Sequence, residues 1–177
     1  MNEHRAGTTY FVTLECLLHH PLLAPPGLKQ MLISALRETK RQFGLSIGAY
    51  VILDDHLHLV LIAPTESDFH GPMNYLRARF VRAWRDDDKT RNEDMFWEHG
   101  FRSRLLVDAD KLRQHVDYIH YDPVRHGLCE RAYDYRWSSL RARVEQGHYP
   151  EDWAVMGPPA SISHVLAQRD RISRLTP

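Results

Sequence analysis

Two histidines separated by a single residue are the first candidates for chemistry in this sequence. His56 and His58 lie in the apolar stretch HLHLVLIA. Residues two apart in a strand point to the same face and lie about 7 Å apart, so both imidazoles can converge on one divalent cation. Two histidines on the exposed face of a sheet would give the same pattern, so the pair alone does not distinguish a metal site from a polar surface.

A tyrosine and an aspartate four residues apart form the second candidate pair. Tyr118 and Asp122 lie in DYIHYDPVRHGL, and in a helix this spacing places both on one face. A phenol there can act as a nucleophile and a carboxylate as a metal ligand. Two other interpretations stay open. Pro123 disfavours helical geometry at the preceding residue, so Asp122 is also a candidate N-cap of a short turn. A helical tyrosine is most often a half-buried core residue.

Hydrophobic patterning predicts the elements that position these residues. Strands are predicted at 9–17, 47–54, 56–63 and 101–107, and helices at 28–43, 71–85 and 111–121. Up to residue 107 the order is typical of a ferredoxin-like α+β fold, an antiparallel four-stranded sheet with helices on one face. The tyrosine-bearing helix and an irregular extension follow. We predict one domain over residues 1–155 and a polar C-terminal tail over residues 156–177.

Composition indicates a soluble globular protein. The 177 residues carry a formal net charge of zero, with 43% hydrophobic and 26% charged residues. Zero net charge weighs against a polyanionic partner, but a run of arginines near residue 80 creates a local positive field. No apolar run is long enough for a membrane span, and the N-terminus does not resemble a signal peptide. Cys16 and Cys129 are far apart and lack CxxC spacing. These observations predict a cytoplasmic protein without a membrane partner.

Several ordered motifs resemble one known family. YIHYDPVRHGL, residues 118–128, is similar to the YIHxNPVxxGL signature of REP-associated tyrosine transposases, relatives of the single-tyrosine transposases of bacterial insertion sequences. His56-Leu57-His58 corresponds to the family's HUH motif, in which U is a bulky apolar residue. The likeness covers roughly residues 8–155 and includes FWE at 96–98, YRWSS at 135–139, GHY at 147–149 and Trp153. Asp122 stands where family members usually carry asparagine.

The resemblance implies a metal-dependent enzyme that cleaves and rejoins single-stranded or hairpin DNA containing REP-like palindromes. His56, His58 and Asp122 would hold Mg²⁺ or Mn²⁺, and Tyr118 would attack the scissile phosphate to form a 5′-phosphotyrosine. Aspartate at 122 remains a suitable ligand and adds negative charge. Arginines suit phosphate contacts. The candidate DNA-binding residues are Arg77, Arg79, Arg82, Arg102, Arg104 and Arg125.

Two functions of other classes stay open from the sequence. The first is a domesticated protein that binds hairpin DNA without cutting it, which the exchange at Asp122 favours. The second is a metal-dependent phosphoesterase that uses water and would not need Tyr118. The sequence is compatible with a monomer and with a homodimer.

Overall fold

The structure, a computed structural model, describes residues 7–64 and 69–167. The chain divides into two compact units, Met1–Gly48 with Ile52–Leu105, and Ala49–Val51 with Leu106–Pro177. Its strands are β1 (Thr8–Glu15), β2 (Ser46–Ile52), β3 (His56–Ala63) and β4 (Arg102–Leu105). Its α-helices are α1 (Pro26–Phe43), α2 (His70–Asp87), α3 (Ala109–Arg125) and α4 (Leu140–Glu145).

The sheet confirms the predicted α+β class. Its strand order is β2-β3-β1-β4, and its strands are antiparallel. This is the order of a ferredoxin-like sheet, because the strand after the first helix comes to lie at one edge. Helices α1 and α2 pack against each other. Their buried residues repeat at helical spacing: Leu32, Ala35 and Leu36 in α1, and Met73, Leu76 and Phe80 in α2.

Register within the first unit places the two histidines opposite polar residues of β1. His58 pairs with Thr13, and His56 pairs with Glu15. Nearly all of β3 is buried, on both of its faces. The alternative of two surface histidines is therefore wrong, because His58 is 0% and His56 6% exposed.

An ion pair between a buried lysine and a partly exposed aspartate fixes the turn that leads into β3. Lys29 of α1 is 4% exposed and its Nζ lies 2.5 Å from Oδ1 of Asp54. The backbone carbonyl of Asp54 accepts a hydrogen bond from Leu23, and that of Asp55 accepts one from Cys16. The turn is thus held by the Asp54 side chain and by two backbone hydrogen bonds, and it places His56 at the start of β3.

Helix α3 of the second unit begins two residues before the predicted start at 111 and ends four residues after the predicted end at 121. Asp108 caps it by accepting a hydrogen bond from the backbone N–H of Lys111. The expectation that Asp122 lies outside the helix is wrong, because α3 continues through Pro123 to Arg125. A proline two residues from a helix end removes only one backbone hydrogen bond, and this proline is buried. Gly127, with φ of +68°, then ends the helix in the left-handed region.

The segment predicted as a polar tail, residues 156–177, includes residues that pack within the second unit. Residues 160–162 form a 3-10 helix, and Ile162 is fully buried. Residues 168–177 of the predicted tail lie outside the described residues. In the described ranges, no helix is both long and apolar enough to span a membrane.

The Lys29–Asp54 pair gives a test of the first unit. We expect Asp54→Ala to lower the free energy of unfolding by about 2–3 kcal/mol, because the buried ammonium loses its carboxylate. Urea denaturation followed by circular dichroism measures this. Asp86→Ala is the matched control, since Asp86 and Lys89 form an exposed pair whose loss should change the stability much less. Equal losses for the two variants would contradict the structural role of the Lys29–Asp54 pair.

Candidate active site

In the first unit, each of the paired histidines is anchored through its Nδ1 atom. Nδ1 of His56 lies 2.6 Å from Oδ1 of Asp55, and Nδ1 of His58 lies 2.9 Å from the hydroxyl of Thr13. The ring of His58 also stacks on Phe11, with centroids 5.2 Å apart. These contacts fix the orientation of both rings, and the two imidazole centroids are 4.6 Å apart.

The anchoring determines which ring nitrogen can bind a metal. A carboxylate only accepts hydrogen bonds, so Nδ1 of His56 carries the proton and Nε2 carries the lone pair. Donation from Nδ1 of His58 to the Thr13 hydroxyl would leave His58 in the same tautomer. Histidine ligands of metal ions are commonly held in this way, with the second ring nitrogen bonded to a carboxylate or another acceptor. The donor chemistry of the pair therefore fits a divalent cation.

In the second unit, the last turns of α3 bring Tyr118 and Asp122 to one face. Tyr118 is 1% and Asp122 0% exposed. Arg125 contacts both residues: its Nε donates to Oδ1 of Asp122 at 2.8 Å, and its Nη2 donates to the Tyr118 hydroxyl at 3.1 Å. The alternative of Asp122 as the N-cap of a turn is wrong, because its backbone is helical.

The charges in this cluster compensate one another. Burial by itself would lower the pKa of Arg125, but the charges of Asp122 and Tyr118, with their hydrogen bonds, raise that pKa above its usual value. The guanidinium of Arg125 therefore stays charged beside the buried carboxylate of Asp122. The imidazole of His126 completes the cluster, with Nε2 3.6 Å from Oδ1 of Asp122 and 2.8 Å from Nη2 of Arg125.

A buried polar network holds other side chains of α3. Asp117 accepts hydrogen bonds of 2.6 Å from the hydroxyls of Tyr149 and Ser161. His120 is fully buried, and its Nε2 lies 2.9 Å from the Ser139 hydroxyl. Burial, with a smaller effect of the Arg143 charge, lowers the pKa of His120 to about 3, so its ring is neutral at physiological pH. These residues fix the helix that carries Tyr118.

Sequence reasoning assigned no role to this network. Its partners are separated by as many as 44 residues in the chain, and no local periodicity connects them. The one available signal was the resemblance of residues 135–139, 147–149 and Trp153 to the family pattern, since these segments supply Ser139 and Tyr149.

The six candidate DNA-binding arginines differ in their surroundings. Arg77 donates to the backbone carbonyl of Glu98 at 2.5 Å, and Arg79 pairs with Glu38 at 2.8 Å. Arg102 pairs with Glu15 on β1. Arg82 and Arg104 are exposed. Arg82 also lines an open pocket of about 460 Å³ beside Arg85 and Lys89.

Comparison with known proteins shows the family. Residues 10–122, more than half of the chain, match the family described as "Transposase IS200 like". The chain belongs to the IS200-like transposase family. A REP-associated tyrosine transposase of Escherichia coli K12 is 31% identical over 159 residues, covering 87% of this chain and 92% of its own length. A Haemophilus influenzae relative of the same class is 34% identical over 128 residues, covering 68% of this chain and 73% of its own length.

A solved structure is also similar to this chain. It contains a REP-associated tyrosine transposase bound to a REP hairpin. The two chains share 29% identity with a TM-score of 0.74, and the match covers 87% of this chain and 92% of the other. The predicted resemblance to REP-associated tyrosine transposases is thereby confirmed.

The hydrogen bond from Tyr149 to Asp117 predicts a stability effect with a defined pH dependence. We expect Tyr149→Phe to lower the free energy of unfolding by about 1–3 kcal/mol at pH 8, because a buried carboxylate loses a donor. Burial, followed by the contact with Asp117, raises the pKa of Tyr149. Above about pH 10 the unfolded chain releases this proton while the folded chain keeps it, so the stabilisation by Tyr149 decreases as the pH rises.

Urea titrations of the wild type and the variant at pH 8 and pH 11 measure the difference. The stability gap between them should shrink at the higher pH. Tyr133→Phe is the control, because the Tyr133 ring is partly exposed and lies against Arg141, and its hydroxyl should contribute less than about 0.5 kcal/mol. A gap that widens at pH 11 would refute the assignment.

Proposed function

We propose that the chain is a metal-dependent transposase that cleaves single-stranded or hairpin DNA and transfers strands through a covalent bond to Tyr118. The observation that carries this proposal is the end of α3. There the hydroxyl of a buried tyrosine and the carboxylate of a buried aspartate are held by one arginine. Membership of a transposase family and the likeness to a transposase bound to a REP hairpin support the same reaction class.

Three buried residues are proposed to hold the metal ion. His56, His58 and Asp122 each offer a ligand atom of a suitable type, an imidazole nitrogen or a carboxylate oxygen. Two imidazoles and a carboxylate suit Mg²⁺ or Mn²⁺, with water completing the shell. When bound, the cation would supply Lewis-acid polarisation of the scissile phosphate. Asp55 and Thr13 would orient the two imidazoles toward it.

Tyr118 is proposed as the nucleophile. Its phenol loses a proton, its oxygen forms a bond to phosphorus, and the bond from phosphorus to the 3′ oxygen breaks. The leaving oxygen takes up a proton and becomes a 3′-hydroxyl, while the 5′ end stays on Tyr118 as a phosphotyrosine. The 3′-hydroxyl of a second strand can then attack the phosphotyrosine and regenerate the phenol. Both steps exchange one phosphate ester for another, so they need no external energy source.

The proposed partner is single-stranded or hairpin DNA with REP-like palindromes. Exposed arginines bind DNA phosphates whatever the base sequence, which suits contact with the DNA backbone. Arg82 and Arg104 are exposed in this structure, and Arg102 extends from the edge strand β4. For all six candidate arginines, contact with DNA stays a prediction.

A covalent-adduct assay tests the nucleophile. The purified chain is incubated with Mn²⁺ and end-labelled hairpin oligonucleotides taken from the sequences that flank its own gene. We expect a slowly migrating protein–DNA adduct on a denaturing gel. Tyr118→Phe should reduce its formation at least about 1,000-fold, because the attacking oxygen is removed. Chelation of the metal should also abolish it.

Tyr121→Phe is the matched control, because Tyr121 lies on the same helix and is partly exposed. Its adduct yield should stay within about twofold of the wild type. Cleavage that survives Tyr118→Phe would instead identify a phosphoesterase that uses water. Hairpin binding by the wild type without any cleavage would identify a DNA-binding module.

Metal affinity tests the histidine pair independently of catalysis. We expect Asp55→Asn to weaken Mn²⁺ binding about 10–100-fold, because the carboxylate that orients His56 and increases its basicity is lost. Titration of free Mn²⁺ followed by electron paramagnetic resonance measures this in the absence of DNA. Asp86→Asn, on the surface of α2, should leave the affinity unchanged. Unchanged affinity in a His56→Ala/His58→Ala double variant would place the metal elsewhere.

A further inference from the structure

Arg125 makes contacts that a surface phosphate clamp would not need. Its Nε donates to Asp122, its Nη2 donates to the Tyr118 hydroxyl, and Nη2 also lies 2.8 Å from Nε2 of His126. The Cζ atom lies 5.6 Å from the centroid of the Tyr118 ring. The guanidinium therefore contacts Asp122 on one side and Tyr118 and His126 on the other. About 30% of the Arg125 side chain remains exposed.

These contacts follow from the positions of the residues on α3. Residues 118, 122 and 125 are separated by four and three positions, so they follow one another along a single helix face. The planar guanidinium presents its donors in a rigid fork, which can bind two acceptors at once. An ammonium on a flexible chain acts more as a point charge and would not fix two oxygens in one geometry.

The carboxylate of Asp122 supplies the fixed end of this arrangement. It is fully buried, so its negative charge requires a nearby cation. Arg125 provides that cation, and the ion pair immobilises the guanidinium on the Asp122 side. The other end of the guanidinium then holds the oxygen of Tyr118 at a defined place.

We propose that Arg125 is a positioning residue for the nucleophile: anchored by the buried carboxylate of Asp122, it holds the Tyr118 hydroxyl in the orientation required for attack. This inference rests on the proposed function, in which Tyr118 forms the covalent bond. Correct orientation of a nucleophile affects the chemical step more than substrate binding, and a displacement of about 1 Å can reduce a rate about 100-fold. The guanidinium accordingly contributes to the rate of adduct formation rather than to affinity for DNA.

The first experiment separates the chemical step from DNA binding. For Arg125→Gln we expect the rate of adduct formation at saturating hairpin DNA to fall about 10–100-fold. The dissociation constant for the hairpin, measured with chelator present, should change less than about twofold, with an unchanged salt dependence. Arg113→Gln is the matched control on α3, because Arg113 pairs with Asp110 in an exposed position, and both quantities should match the wild type.

The opposite pattern would overturn the inference. If Arg125 is a phosphate contact, Arg125→Gln will weaken hairpin binding and reduce the slope of log affinity against log salt by about one unit. Arg125→Lys is a second test, because lysine retains the positive charge but lacks the planar guanidinium that can bind two acceptors at once. A rate for Arg125→Lys equal to the wild type would show that charge alone suffices, and positioning would be excluded.

The second experiment tests the anchor without metal and without DNA. Arg125→Gln should raise the unfolding equilibrium constant at least about tenfold, because the Asp122 carboxylate stays buried without its guanidinium. Adding Asp122→Asn should reverse most of this loss, and such coupling is the expected result. Additive effects would overturn the anchoring by Asp122. If the wild type forms no adduct, the proposed function fails, and this coupling still decides whether Asp122 anchors Arg125.

Discussion

Burial of the Asp122 carboxylate is the constraint around which the candidate site is organised. A fully buried carboxylate loses its hydration, so the fold must supply a cation and hydrogen-bond donors close by. Arg125, one helical turn later, supplies both, and in doing so it contacts the hydroxyl of Tyr118. The charge of Asp122, which suits its proposed role as a metal ligand, therefore also fixes the position of the proposed nucleophile on the same helix.

Helix α3 is held by buried polar contacts of two kinds. Asp117 and His120 bind hydroxyl groups of residues far along the chain, whereas Tyr118 and Asp122 are bound by Arg125 of the same helix. A helix held only by apolar packing can rotate or slide with little change in contacts. The hydrogen bonds of Asp117 and His120 to other segments have specific geometry, so they restrict both movements, while the contacts of Arg125 fix side chains on the helix itself. Such restriction suits a helix whose tyrosine is proposed to attack a phosphate in one orientation.

The fold was largely predictable from the sequence, and the site only in part. The run around His56 and His58 has the composition of a strand, and the spacing of two residues then fixes a common face. Pro123 misled the prediction for the end of α3, because local rules do not weigh burial of the proline ring against one lost hydrogen bond. The contacts of Asp117 with Tyr149 and Ser161 were not predictable, since only the folded chain brings those residues together. The proposed roles of Tyr118, of His56, His58 and Asp122, and of the six arginines stay predictions.

The pairing of Asp122 with Arg125 also constrains the order in which the two residues can be exchanged, for example from a neutral amide at position 122. With a neutral amide at position 122, the partly exposed guanidinium of an arginine at position 125 can turn toward water, so substitution to arginine is tolerated. An aspartate that arrives first is a buried charge without a guanidinium, and the protein loses stability. The arginine is therefore the permissive change, and the aspartate the one that follows. Once both are present, reversal must proceed in the opposite order, with residue 122 changing before residue 125.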